Sequence, residues 1–238
     1  MSTKNNLNII FSLETQNVRT GFYRHRRQLL RALNSALVRH DKATLETLTL
    51  SYVLLFAAWS EAQFMQVLHT PDALSSTQIL KIKNLKKQLG IGEAWKELVR
   101  CAFIKVPGHT REVKLKETLL LQIVEENGIP NSLIRNKIAH GQWSVAFNRE
   151  HTTKNEDLTS ELNTLDYVKV DLLFQIQQVI GFIVRDLLQS PERGHFRFFW
   201  QHDTELKSLL DKRCSQNIQS KLHALERRAE LRNKNKST

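Results

Sequence analysis

A chain of 238 residues, 41% hydrophobic and 25% charged, is long enough for one large domain or two small ones and apolar enough to bury a core. Eight glycines and four prolines are few, which argues against a β-sandwich or barrel with its turn about every 8–12 residues, and against Pro/Gly-rich disorder. The net charge of +11 favours a polyanionic partner through counterion release, RNA or DNA before an anionic membrane surface; the competing reading is a solvated basic face without a ligand.

The longest unbroken apolar run, Val53 to Trp59, falls short of the roughly 20 residues that span a bilayer, so no membrane segment is expected. Met1 to Glu14 lacks a basic region followed by an apolar core, and Cys101 and Cys214 are too few for a disulfide framework. The expectation is a cytoplasmic, mostly helical protein.

Along the chain the first helical stripe is Phe22, Leu29, Leu33 and Leu37, with Arg24, Arg27 and Arg31 on the opposite face. Residues 19–42 carry seven Lys/Arg against Asp41 alone. Thr44 to His69 reads as a helix apolar nearly all round, ended by Thr70–Pro71 and suited to the centre of a bundle. Shorter basic amphipathic helices follow over Ser76–Leu89 and Glu93–Phe103, and residues 77–116 hold ten Lys/Arg against three Glu. Arg111–Asn127 is predicted to stop at Gly128, and Asn131 or Ser132 to cap a new helix after Pro130. A polar loop is expected over 145–160, then a long amphipathic helix from Leu162 to Leu188. From Gln201 the pattern is helical with thinning hydrophobicity, and Leu231 to Lys236 reads as a frayed or disordered end. The predicted organisation is an all-α helical domain over residues 1–190 and an appended helical C-terminal extension over 191–238.

The stretch Asn131 to Trp143 carries the chemistry. On a wheel of 100° per residue, Leu133, Ile134 and Ile138 group on a core face, with Lys137 at its edge. Arg135, Asn136, Ala139, His140 and Trp143 take the other side. A guanidinium binds phosphate bidentately, and a free imidazole titrates near neutrality, so it exchanges protons there. Asn136 and His140, four apart, reach one substrate group across the small Ala139. In the alternative, Arg135 snorkels, Asn136 is solvated and His140 caps the helix beside Gly141.

The run Arg135-Asn136-Lys137-Ile138-Ala139-His140-Gly141 resembles the signature of the HEPN superfamily: an Arg, a polar residue, then a His after four intervening residues, with a trailing Gly. That family is an all-α bundle in which the motif helix precedes a last long helix, the place of Leu162–Leu188. Leu54 to Phe64, an apolar run leading into Glu61 and then an aromatic residue, is similar to an earlier helix of defence-related members. The resemblance covers about residues 20–190. It implies a metal-independent endoribonuclease with no cofactor, usually a homodimer whose motif helices build a composite cleft. The 2′-hydroxyl would attack the adjacent phosphate, leaving 2′,3′-cyclic phosphate and 5′-hydroxyl ends. His140 would act as general base or acid, Arg135 would stabilise the phosphorane, Asn136 would orient the phosphate or His140, and Glu61 would position Arg135. A toxin or phage-defence effector is expected, acting on tRNA or mRNA, with an antitoxin or defence-complex partner as a further possibility. From charge alone, Arg24, Arg27, Arg31, Lys83, Lys86 and Lys87 are expected to guide the RNA.

The chain departs from the family pattern at Gln142, where antitoxin-paired members carry a Tyr, so control by nucleotidylation there is not expected. Some members bind RNA without cutting it, so a non-catalytic RNA-binding or interaction module, or a subunit of a larger defence complex, stands beside the enzyme. Other signals are set aside. His195 and His202 lack a third metal ligand nearby, Cys101 has the apolar flanks of a core residue, and Phe196, Phe198, Phe199 and Trp200 are assigned to packing before base stacking.

Overall fold

The computed structural model describes residues 3–108 and 110–235; the side chains of residues 3–5, 127–132, 200 and 233 lie outside that description. Among the described residues the fold is all-α, with a single isolated β-bridge, Phe147 to Lys154, and no strand.

Helix α1 (Thr3–Arg19) passes through a π-helical turn (Thr20–His25) into α2 (Arg26–Val38). The wide turn sits where the chain crosses the indole of Trp59. A Cβ on Gly21 would stand 2.9 Å from that ring, and Trp59 Nε1 donates to the Val18 carbonyl at 3.1 Å. Phe22, Leu33 and Leu37 are buried beyond it while Arg24, Arg27 and Arg31 stay exposed, as the stripe predicts. Helix α3 (Lys42–Leu68) starts at Asp41, whose carboxylate accepts from Thr44 N, and ends just ahead of Pro71. A capping box between Ser75 and Gln78 opens α4 (Ser76–Leu89), and Gly90, at φ 93°, separates it from α5 (Ile91–Ile104).

Helix α6 (Arg111–Ala139) is the first departure from expectation: it runs through Gly128–Pro130 without the predicted stop and restart. The Asn131 and Ser132 side chains, expected as caps, lie outside the description. An interior proline costs a helix about 3 kcal/mol. Here Ile123 and Val124 are buried on one side of it and Ile134 and Ile138 on the other. Each such side chain contributes about 1.5–3 kcal/mol, so the flanking burial outweighs the local break.

The predicted loop over 145–160 is also corrected, since it contains α7 (Glu156–Asn163). Asn155 caps that helix by accepting from Leu158 N, Glu156 and Asp157 sit favourably in its first turn, and Leu162 is buried. The long helix α8 (Tyr167–Gln189) consequently begins later than Leu162. Asp166 sets its start, accepting from Val168 N at 2.7 Å.

A short turn α9 (Pro191–Arg193) and a π-helical segment (Gly194–Phe198) lead into α10 (Phe199–Ser215) and α11 (Ile218–Lys234). Phe199, Leu206 and Leu209 of α10 join one core cluster with Phe64, Trp95 and Ile180; Leu222 of α11 joins the other, with Phe22, Tyr52 and Phe174. The C-terminal helices therefore pack on the bundle itself. Helix α11 persists to Lys234, so most of the end expected to fray is helical; residues 236–238 are outside the description.

Helices α3, α6 and α8 cross both clusters. Tyr52 bonds Asp171 and Gln63 bonds the Gln178 carbonyl, contacts that advance along α3 and α8 together, so these two run parallel. Both are long and apolar enough to cross a membrane by length and composition, and α8 is buried along most of its length in the bundle. Between them Asp171 accepts from Arg26 Nε at 2.8 Å, Tyr52 Oη at 2.6 Å and Gln175 Nε2 at 3.0 Å. Arg26 also lies over the Phe22 ring at 4.5 Å, which fixes α2 onto this junction.

Candidate active site

The motif occupies the C-terminal turn of α6 and the residues that leave it. Ile134 and Ile138 are buried in the cluster around Phe22 and Tyr52, anchoring that turn to the bundle. Leu133, expected beside them, is 48% exposed. It sits 100° from Ile134 and 140° from Ile138 on the wheel, outside the stripe the core can cover. Asn136 and His140 are exposed and Arg135 is half-buried, so the polar face predicted from spacing is presented to solvent.

The helix ends in a Schellman arrangement. Gln142 N–H donates to the Lys137 carbonyl at 2.9 Å and Gly141 N–H to the Ile138 carbonyl at 3.1 Å, with Gly141 in the left-handed region at φ 78°. His140 is the C-cap residue, as the alternative reading has it, yet its imidazole is turned to solvent and has no side-chain partner among the described residues. Arg135 Nη1 donates to Asn136 Oδ1 at 2.8 Å. This contact orients the guanidinium beside the amide and leaves its remaining N–H groups for an anion.

Glu61 is placed elsewhere. Its carboxylate pairs with the Lys86 ammonium of α4 and is 44% exposed, so the pairing with Arg135 or His140 expected from the cost of burying a lone acid is not formed within the chain. A carboxylate this exposed needs no buried partner. Lys86 is thereby engaged, and it also lies 5.9 Å from the Phe64 ring centroid. Lys83 is half-buried and Lys87 exposed. The two basic sets also separate in the fold. Arg24, Arg27 and Arg31 ride on the π-turn and α2, which pack round the same cluster as the motif's isoleucines, whereas α4 buries Ile79 and Ile82 in the other cluster. The arginines belong to the motif's half of the bundle and the lysines to the far half.

The residues after the motif form a built wall that spacing alone did not reveal. Gln142 is buried and its Oε1 accepts from Phe147 N at 2.8 Å, while Lys137 Nζ bonds the Phe147 carbonyl. Ala146 N–H donates to Thr159 Oγ1 and Asn155 N–H to the Ala146 carbonyl, fastening the loop to α7. Gln142 thus has a structural role, tying the turn after the helix to the loop that follows. Trp143 lies beyond the helix and not on its wheel. Its ring is 64% exposed, with Nε1 donating back to the Ile138 carbonyl at 3.1 Å. The sequence signal for this fold-back is the glycine after His140, which ends the helix and reverses the chain.

The signals set aside go to other partners. His195 is buried against Lys116, at 3.4 Å, and Phe199, and His202 contacts Asp186 at 3.2 Å. Burial pushes the Cys101 thiol up, the direction opposite to that of an activated nucleophile. Phe199 is core, while Phe196 and Phe198 remain exposed; the Trp200 side chain lies outside the description. No family model, no curated protein and no solved structure matches this chain.

Proposed function

We propose that the protein is a metal-independent endoribonuclease that cleaves RNA to 2′,3′-cyclic phosphate and 5′-hydroxyl ends, acting in the cytoplasm as a toxin or phage-defence effector. The observation that carries the reading is the solvent-facing group of Arg135, Asn136 and His140 on one anchored helix end. In this mechanism Arg135 binds the scissile phosphate and offsets the charge that builds on it. His140 takes the proton of the attacking 2′-hydroxyl or returns one to the leaving 5′-oxygen, and a single imidazole in each motif suits a homodimer in which two motif helices share the acid and base roles. Asn136 holds Arg135 through its carbonyl and offers its amide N–H to the phosphate. Arg24, Arg27 and Arg31 supply the electrostatic approach on the same half of the bundle. Glu61 has no part in this account.

Replacing the nucleotide 5′ of a mapped cleavage site by its 2′-deoxy form tests the chemistry. The expected result is loss of cutting at that site alone, with binding unchanged; cutting that survives the substitution sinks the 2′-hydroxyl mechanism. A second reading, a non-catalytic RNA-binding module, is favoured by the Glu61–Lys86 pair, which withdraws one expected site residue. It predicts retained but uncut RNA.

A further inference from the structure

Next to the motif lies a cavity of about 510 Å³, bounded by the first turns of α3, the turn between α7 and α8, the start of α11, and Trp143. Its apolar lining comes from Leu45, Leu50, Leu162, Leu165 and Ile218. Trp143 forms a wall whose ring is held in place by the bond from Nε1 to the Ile138 carbonyl, so the indole is presented with its one polar atom already satisfied. A size of this order with an apolar floor, a fixed aromatic face and a few polar groups is that of a small-molecule site.

The polar groups divide into two kinds. Thr47 and Thr49 also line the cavity, but their hydroxyls donate to the Ala43 and Leu45 carbonyls of their own helix. The side chains of Glu46, Asn163 and Lys42 have no internal hydrogen-bond partner among the described residues. The cavity therefore offers an apolar lining with a carboxylate that only accepts, an amide that both donates and accepts, and an ammonium.

We propose that this cavity is a nucleobase site that selects guanine. Of the four bases only guanine has two adjacent N–H donors on its pairing edge, N1–H and the N2 amino group, the pattern a carboxylate accepts side by side. In the site Glu46 takes those two donors, the Asn163 amide donates to O6, the base stacks on Trp143, and Lys42 faces the sugar–phosphate. Trp143 is three residues past His140, so their Cα atoms are no more than about 11 Å apart. A base seated here brings its own backbone within reach of His140. As a determinant of where RNA is cut, the site rests on the ribonuclease reading; its binding of guanine does not.

The test is titration of tryptophan fluorescence in the full chain with GMP, AMP, CMP and UMP up to about 10 mM, well into the range of weak specific binding. GMP is expected to change the emission at concentrations roughly tenfold or more below those needed for AMP, the discrimination of one good bidentate contact. Trp143→Phe should abolish the signal and Glu46→Gln should erase the preference for GMP over AMP, both with unchanged circular dichroism, since these side chains are exposed. A folded wild type that responds to no nucleotide, an equal response to all four, or a GMP preference that survives Glu46→Gln overturns the proposal. Guanine binding through Trp143 in a protein that cuts no RNA upholds the site and defeats the nuclease reading. Cutting that depends on His140 without any guanine response does the reverse.

Discussion

At the scale of the residue, the account separates His140 from Glu61. The imidazole is exposed and contributes little to packing, so His140→Ala should leave the melting temperature nearly unchanged while cleavage falls by about 10²–10⁴-fold, the usual worth of a general acid or base. Glu61→Gln should leave cleavage close to wild type, because that carboxylate serves Lys86. Loss of cleavage in Glu61→Gln would return the acid to the site. Parallel assays on one labelled RNA read both outcomes. The polar face of the motif was legible in the sequence because it depends only on helical periodicity. The partner of Glu61 was not, since Lys86 lies 25 positions away and its approach is set by how α4 docks on α3. The same holds for Asp171. Arg26, Tyr52 and Gln175 all donate to it from a setting only 17% exposed, and burial together with Asp171 pushes the Tyr52 hydroxyl well above its ordinary range. Asp171→Ala strands these donors and should cost about 3–5 kcal/mol in urea unfolding, the range for breaking a buried ion pair.

At the scale of the element, helix ends decide where the site points. Asp166 opens two helices: it caps α8 through Val168 N and accepts from Ile218 N, at 3.0 Å, at the start of α11. Asp166→Ala removes both interactions and should destabilise by about 2 kcal/mol, roughly 1 for each. Gly141 closes α6 at φ 78°, so Gly141→Ala should cost about 1 kcal/mol and shift the emission of Trp143, whose bond to Ile138 depends on that reversal. A lost cap at Asp166 with no change in unfolding midpoint would contradict this picture. Breaks at Pro71, Gly90 and Pro107–Gly108 were readable because these residues are themselves exposed or half-buried, with no packing to carry a helix through them. Gly128–Pro130 was misread because local propensity lost to the isoleucines and valine buried on both sides. Helix α7 was missed because eight residues carry too little periodicity to outweigh a polar composition.

At the scale of the whole molecule, two core clusters spanned by α3, α6 and α8 hold the motif's half of the bundle to the half built on α4, α5 and α10. The all-α class followed from composition and period. The docking of distant segments did not, because it rests on contacts such as Tyr52 with Asp171 and Tyr167 with Asn34, each more than 100 residues apart. The bundle also stores two buried histidines. Burial is the first cause that lowers the pKa of both His69 and His195, opposed at His69 by its bond to the Met65 carbonyl and reinforced at His195 by Lys116. Each takes up its proton at lower pH when folded than when unfolded, where protonation sets in near pH 6.5, so the unfolded state binds more protons below that value. Stability should be level above about pH 7 and fall as pH drops below about 6.5. In His195→Gln that fall should be shallower, as read by urea midpoints across the range.

Whether the exposed end of α6 cuts RNA is read by incubating the purified protein with total tRNA and a single-stranded RNA in EDTA, beside His140→Ala, and resolving the products by end chemistry. Cleavage by the wild type alone, leaving cyclic-phosphate ends, is the expected result. RNA left intact by both proteins, or cut equally by both, would contradict it.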